Sequence, residues 1–194
     1  MNRLGPGLAA AGVIMLAVTL VALTLRPTKV PTYPPTPAAP REVGRALTSP
    51  VLYTIDATGT ETWRRFSFHL GSVLDGAESW DLAFRRYAII AGPGAGLLDL
   101  GEIRFDEVRV VPTTGYLGNE GQADPRNPAI ASWYSYGFFS HVLTPKPHVW
   151  AVRTADGHYA KLEMVGYYCP GSTPGCPTFR YVYQGDGSPN VAAR

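Results

Sequence analysis

The chain has 194 residues, with 17 Lys and Arg against 15 Asp and Glu, for a formal net charge of +2. That balance, with charged residues at 16% and no basic stripe, excludes the electrostatic footprint of a nucleic-acid binder. The 21 glycines, 18 prolines and 11 tyrosines favour turns and strands over long surface helices.

From Leu4 to Leu25 the chain carries no charged residue; Arg3 precedes this run and Arg26 follows it. The run has the roughly 20 apolar residues a bilayer-spanning helix needs. It is longer than the core of a signal peptide, has no A-x-A-like cleavage site at its end, and no cysteine there for a lipid. It is therefore predicted to be an uncleaved signal anchor, residues 1–25. The small residues Gly5, Gly7, Ala9, Ala10, Ala11 and Gly12 would allow close packing against other membrane helices.

Residues 26–41 read RPTKVPTYPPTPAAPR. Such a segment lacks backbone donors and prefers polyproline II, so residues 26–48 are expected to form a semi-rigid stalk. It would lift a domain, residues 49–194, off the membrane. The short N-terminal tail and the cysteines place that domain outside the cytoplasm, periplasmic or extracellular.

Within the domain, Val51–Ala57 and Glu61–Leu70 are predicted strands, the second on the alternation of Phe66, Phe68 and Leu70. Gly71–Ser79 reads as turn. Trp80–Ala91 is expected to be one strand, because Trp80, Leu82 and Phe84 alternate and Ile89 and Ile90 are β-branched. Gly92–Gly96 (GPGAG) is a loop, with a proline and a misplaced glycine that set it apart from nucleotide-binding motifs. Glu102–Val111 is expected to be a strand with a bulge near Asp106–Glu107. Residues 112–130 form a long polar loop of the kind that often contacts a partner. In Ser132–Phe139, Tyr134, Tyr136 and Phe138 would share one face, and the aromatics are expected in the core.

The strongest local signal is Asp156-Gly157, a hairpin turn between His148–Thr154 and His158–Tyr168. In the second strand Ala160, Leu162 and Met164 face one way and Tyr159, Lys161 and Glu163 the other. Thr178–Gln184 completes the sheet, with Phe179, Tyr181 and Tyr183 on one face. Cys169 and Cys176 flank PGSTPG and are expected to pair in an oxidising compartment. No segment of the domain shows a long amphipathic helix. The fold class is therefore all-β: a sandwich or distorted antiparallel sheets preceded by one N-terminal transmembrane helix.

The succession WDLAFRRYAII, GEIRFDEV, SWYSY, HVWAVRTADGHYAKLEMVGYY and TFRYVY, within residues 51–184, resembles the HmuY-like family of bacterial heme-binding proteins. Its most specific piece is the strand, Asp-Gly turn and Tyr-x-Lys-Leu strand with paired tyrosines. The resemblance implies an all-β fold outside the cytoplasm, and heme held by two axial side chains, often histidines. The family's glycine-rich Asn-Gly loop is represented only by GPGAG, and its members are commonly lipoproteins or released proteins.

Of His69, His141, His148 and His158, the pair His141 and His148 is the best candidate for heme ligation, because TPKP between them can form a loop. Met164 could substitute, although its alternation places it in the core; His158 is expected to be exposed at a hairpin tip and His69 near a strand end. GxSxG is absent, both cysteines read as structural, and the carboxylates are scattered, so the chain reads as a non-enzyme with no metal site. Two functions remain. One is an accessory subunit of a larger membrane complex with integral membrane partners, a respiratory or photosynthetic assembly being one class that would fit. The alternative is a membrane-tethered heme-binding protein of the HmuY type.

Overall fold

The computed structural model describes residues 6–24 and 29–192. Arg3, Arg26 and both ends of the uncharged run lie outside the described residues. The helix α1 is Pro6–Thr24, with no acidic residue in its first turn and no basic residue in its last. Its side chains are described from Ala10 to Thr19, and Val13, Ile14, Met15, Leu16 and Val18 are all exposed. Thr19 returns its hydroxyl to the Met15 carbonyl at 2.8 Å, which satisfies that polar group inside the helix. Among the described residues, no helix is long and apolar enough to cross a membrane.

The rest is β-structure in two packed antiparallel sheets. Strands β1 (Val51–Thr54), β11 (Thr173–Gln184), β10 (Tyr159–Cys169), β9 (Val149–Arg153) and β6 (Gly96–Asp99) form the first sheet in that order. Strands β3 (Ser72–Leu74), β2 (Arg64–Ser67), β4 (Leu82–Arg85) and β5 (Ala88–Ala91) form the second. A separate hairpin pairs β7 (Tyr134–Tyr136) with β8 (Leu143–Pro145).

Aromatic side chains fill the space between the sheets. Phe66 meets Phe179 edge-on at 5.3 Å, Phe68 meets Tyr181 at 5.2 Å, and Phe84 stacks on Phe179 at 5.5 Å. Such contacts add about 0.5–1.5 kcal/mol each beyond the area they bury. Phe179, Tyr181 and Tyr183 share this core, as their alternation required.

The opposite face of the first sheet is buried as well. Val149, Ala151, Tyr159 and Val182 pack under Phe105, Val108, Val111 and Val191. Burial on both faces leaves most of β10 and β11 inaccessible along their length. It also buries Tyr159 and Lys161, on the face opposite Ala160, Leu162 and Met164. The cover is a loop with a 3-10 turn at Phe105–Glu107, where a bulged strand was expected; only Val110 makes a bridge, to Asn190.

Three other expectations change. Trp80–Ala91 is two strands, β4 and β5, reversed at Arg86, whose φ is 54°. The turn region Gly71–Ser79 contains β3, and Gly96 opens β6. The long loop 112–130 has no strand of its own but is tied down: Asn119 exchanges two hydrogen bonds with Ala91, and Asn127 donates to the Leu117 carbonyl at 2.8 Å.

The proline-rich segment is the largest departure from expectation. From Lys29 to Thr48 it runs along the domain as a strap. Tyr33 N donates to Tyr168 O at 2.8 Å, Thr36 N to Thr54 O at 2.9 Å, Val43 N to His69 O at 2.8 Å and Thr48 N to Tyr183 O at 3.0 Å. Polyproline conformation leaves the N–H groups of the non-proline residues free, and the sheet margins offer unpaired carbonyls to accept them. Val30 and Val43 add to the core. Gly166 in β10 makes room, since a Cβ there would fall 2.4 Å from the Tyr33 ring. Gly166→Val should therefore loosen the strap and accelerate hydrogen exchange at the Tyr33 amide by about tenfold, equal to about 1.4 kcal/mol of local stability. Unchanged exchange at Tyr33 would contradict the packing argument.

Cys169 and Cys176 are disulfide-bonded, closing the turn between β10 and β11, as their spacing suggested.

Candidate functional site

The strap, the β7–β8 hairpin and the end of β10 enclose an apolar groove of about 480 Å³. That lies within the roughly 300–1,000 Å³ range of small-molecule sites. Val142, Leu143 and Pro145 form one wall, Met164, Tyr167 and Tyr168 the other, and Lys29 and Lys146 supply the charge.

Each wall has a local cause. Trp133 is fully buried beneath the hairpin and donates its indole N–H to the Tyr87 carbonyl at 2.8 Å. It meets Tyr134 edge-on at 5.2 Å and Tyr167 at 6.0 Å. The Lys146 amide donates to the Trp133 carbonyl at 2.8 Å, which holds the hairpin's base. Tyr168 accepts the Leu143 amide on its hydroxyl at 2.9 Å, tying hairpin to sheet. Burial raises the pKa of Tyr167, so its hydroxyl stays neutral.

The hairpin's far end is unlike its base. Tyr136 is exposed, and Phe138 and Phe139 are 77% and 89% exposed. These three aromatics were expected in the core; only Trp133 of the segment is fully buried there. The reason is that β8, which covers the main sheet through β10, is three residues long, so the tip overhangs it.

His141 and His148 sit at opposite ends of β8, and neither lines the groove. His141 is in the tip at φ 53°, its Nδ1 bonded to the Tyr136 hydroxyl. His148 stacks on Trp150, and its Nδ1 meets both carboxylate oxygens of Asp99 at 3.0 Å. A carboxylate accepting from Nδ1–H leaves the electron pair on Nε2, the orientation that a neighbouring carboxylate gives a metal-binding imidazole. His158 is half-buried, bonded to the Tyr183 hydroxyl at 2.8 Å and beside Asp156 at 3.4 Å, so the expected exposed tip residue is in fact tied down. His69 lies 3.9 Å from Glu42 of the strap.

Among the described residues, no group of three or more His, Cys, Asp or Glu side chains is placed to hold a metal ion. The GPGAG loop packs rather than cradles: a Cβ on Gly92 would lie 2.0 Å from the Trp80 carbonyl oxygen. The groove's apolar walls and lysines suit the ring and carboxylates of a heme. Its wall offers one soft ligand atom, the thioether of Met164, and no imidazole.

The family model described as HmuY protein matches residues 117–181, which include β7 to β10, most of β11 and all of the groove except the strap. Among solved structures, the apo HmuY analog of Tannerella forsythia aligns with a TM-score of 0.61 at 17% identity, covering 71% of this chain and 98% of that one. An HmuY-like heme binding protein from Bacteroides vulgatus gives 0.61 at 20% identity, covering 71% and 93%. A lipoprotein from Bacteroides fragilis gives 0.60 at 19% identity, covering 70% and 91%. At these identities the likeness is one of fold. No curated protein matches the chain. The resemblance read from the sequence thus holds in both the family segment and the architecture.

The sequence reading missed the groove residues Leu143, Lys146, Tyr167 and Tyr168. The paired tyrosines after the Tyr-x-Lys-Leu strand were the available signal; Lys146, between two prolines, gave none.

Proposed function

We propose that this is a membrane-tethered, non-enzymatic binding protein of the HmuY type that takes heme, or a tetrapyrrole like it, in the groove between strap, hairpin and β10. The observation that carries the reading is the groove itself. Its walls are apolar, its lysines match two carboxylates, and most of its lining lies in the stretch that matches the family. The comparisons favour this reading over that of an accessory subunit docked on integral membrane partners. The tether rests on the uncharged run from Leu4 to Leu25, whose middle forms a helix with exposed apolar side chains. The disulfide and the lipoprotein among the structural neighbours support a site outside the cytoplasm.

Heme bound here would supply an iron centre; the chain's part is to bury the ring, pair its carboxylates and offer axial atoms. The Met164 thioether would be the ligating atom in the groove's lining, and His141 and His148 lie outside it. The test is hemin titration of the full chain in mild detergent. A Soret shift is expected, and Leu143→Glu, which puts a carboxylate in the apolar wall, should weaken binding at least about tenfold, or 1.4 kcal/mol. Met164→Leu should shift the Soret position, whereas His148→Ala and His141→Ala, outside the lining, should leave it unchanged. No spectral change with excess hemin would end the proposal.

A further inference from the structure

We infer that the tip of the β7–β8 hairpin is a second membrane contact, with Phe138 and Phe139 seated in the headgroup layer of the bilayer that holds α1. The inference rests on the tether proposed above and concerns a surface that the groove does not use.

Three observations carry it. First, Phe138 and Phe139 are the most exposed large apolar side chains of the described residues, 5.3 Å apart on one turn, with Tyr136 exposed beside them. Adjacent exposed aromatics at a strand turn are costly in water and favoured at a lipid–water boundary.

Second, chain length puts this tip close to the membrane. Lys29, Val30 and Pro31 line the groove together with Val142, Leu143 and Lys146, so the strap begins at the hairpin's flank. Only residues 25–28 separate Lys29 from the last residue of α1, Thr24. Five residue steps reach no more than about 18 Å even when fully extended. Because the proline-rich segment is bonded to the domain, it cannot act as a spacer: Lys29 is held within that distance of the helix end, and the hairpin shares the groove that Lys29 lines.

Third, charge agrees. Residues 127–148 contain no Asp or Glu, and neither does the start of the strap, whereas Lys29 and Lys146 are present beside the hairpin. A surface that is aromatic at its apex and carries Lys29 and Lys146 at its base suits anionic headgroups. It is poorly suited to water or to an acidic-poor protein face.

The test uses the full chain reconstituted in phosphatidylcholine–phosphatidylglycerol vesicles, with and without brominated acyl chains. Three single variants are compared with the parent: Phe139→Trp at the tip, Val13→Trp in the helix, and Val110→Trp at an exposed site on the loop over the other face of the sheet. The indole added at position 139 is expected to emit to the blue of a solvated indole and to lose roughly half its emission to brominated lipid, as interfacial aromatics do. Position 13 should be quenched as well, and position 110 should not. Quenching at 13 without quenching at 139 overturns the tip contact and leaves the tether standing. Quenching at neither position overturns both. Blue-shifted emission at 139 that ignores brominated lipid but grows with protein density would mean a second copy covers the tip, which also overturns the proposal.

Discussion

Lys161→Ala is expected to cost about 3–5 kcal/mol of folding stability, from two buried carbonyls left without a donor and the cavity left by the stem. Lys161 is fully buried in the middle of β10. Its ammonium donates to the Phe105 carbonyl at 2.9 Å and the Val108 carbonyl at 2.7 Å, and lies 4.4 Å from the Phe105 ring. Arg180, held at 2.8 Å by Glu163, also packs on that ring, at 4.2 Å. One side chain therefore fastens the covering loop to the sheet's second face. Burial pulls the pKa of Lys161 below the ordinary lysine value, with Asp106 and Glu163 opposing. Truncation would strand two carbonyls at roughly 1–3 kcal/mol each and open a cavity. Lys161→Met separates the roles. If the hydrogen bonds matter, Met should lose most of what Ala loses; if only the stem matters, Met should be nearly neutral. Urea denaturation of the three proteins decides, and a loss below about 1 kcal/mol for Ala would refute the fastening role.

The second large effect is a pH dependence centred on Asp81. Its side chain is 4% exposed, and it links the two layers: Phe68 N donates to Oδ2 at 2.7 Å and Ala155 N to Oδ1 at 2.8 Å. Burial pushes its pKa up to about 6, against the opposing effect of those two bonds and of His69, while Asp156 raises it further. Between about pH 4 and pH 6 the folded protein holds a proton that the unfolded chain has released. Stability from this group therefore rises as pH falls through 6 and is complete below about 4. Two pKa units correspond to roughly 3 kcal/mol. The parent protein should gain that much relative to Asp81→Asn between pH 7 and pH 4, visible as a difference of roughly 6–12 °C in their Tm shifts. Asp81→Ala should be destabilised at every pH in that range by about 2–4 kcal/mol, because two buried amides lose their acceptor. Parallel pH profiles for the parent and the Asn variant would show that the carboxyl titrates normally.

Where local pattern dictated local structure, the sequence was legible. Asp156-Gly157 could only be a hairpin turn, since the left-handed φ of 85° at Gly157 is open to glycine at no cost. Phe179, Tyr181 and Tyr183 alternate because β11 faces the second sheet. The cysteines paired because six residues rich in glycine and proline bring them together across a turn. The family resemblance was legible for the same reason, since it rests on these strands.

What failed depended on contacts far along the chain. Trp80–Ala91 reads as one strand because apolar residues continue through its turn at Arg86; the guanidinium there donates to the carbonyls of Thr58 and Pro174, and no window of sequence reveals that. Lys161 looks like a solvent-facing lysine until a loop more than fifty residues away folds over it. The aromatic run at 133–139 divides into a buried base and a bare tip only once β8 is seen to be short.

By itself, then, the sequence determined an uncharged N-terminal run, a mostly β domain, its disulfide and its resemblance to the HmuY family, because each is written in composition, short motifs or short-range periodicity. The tertiary structure alone decided that the proline-rich segment is a strap and that a groove opens beneath it. A polyproline strand carries no internal hydrogen bonds, so whether it stands free or lies along a sheet depends entirely on the acceptors the rest of the fold presents to it.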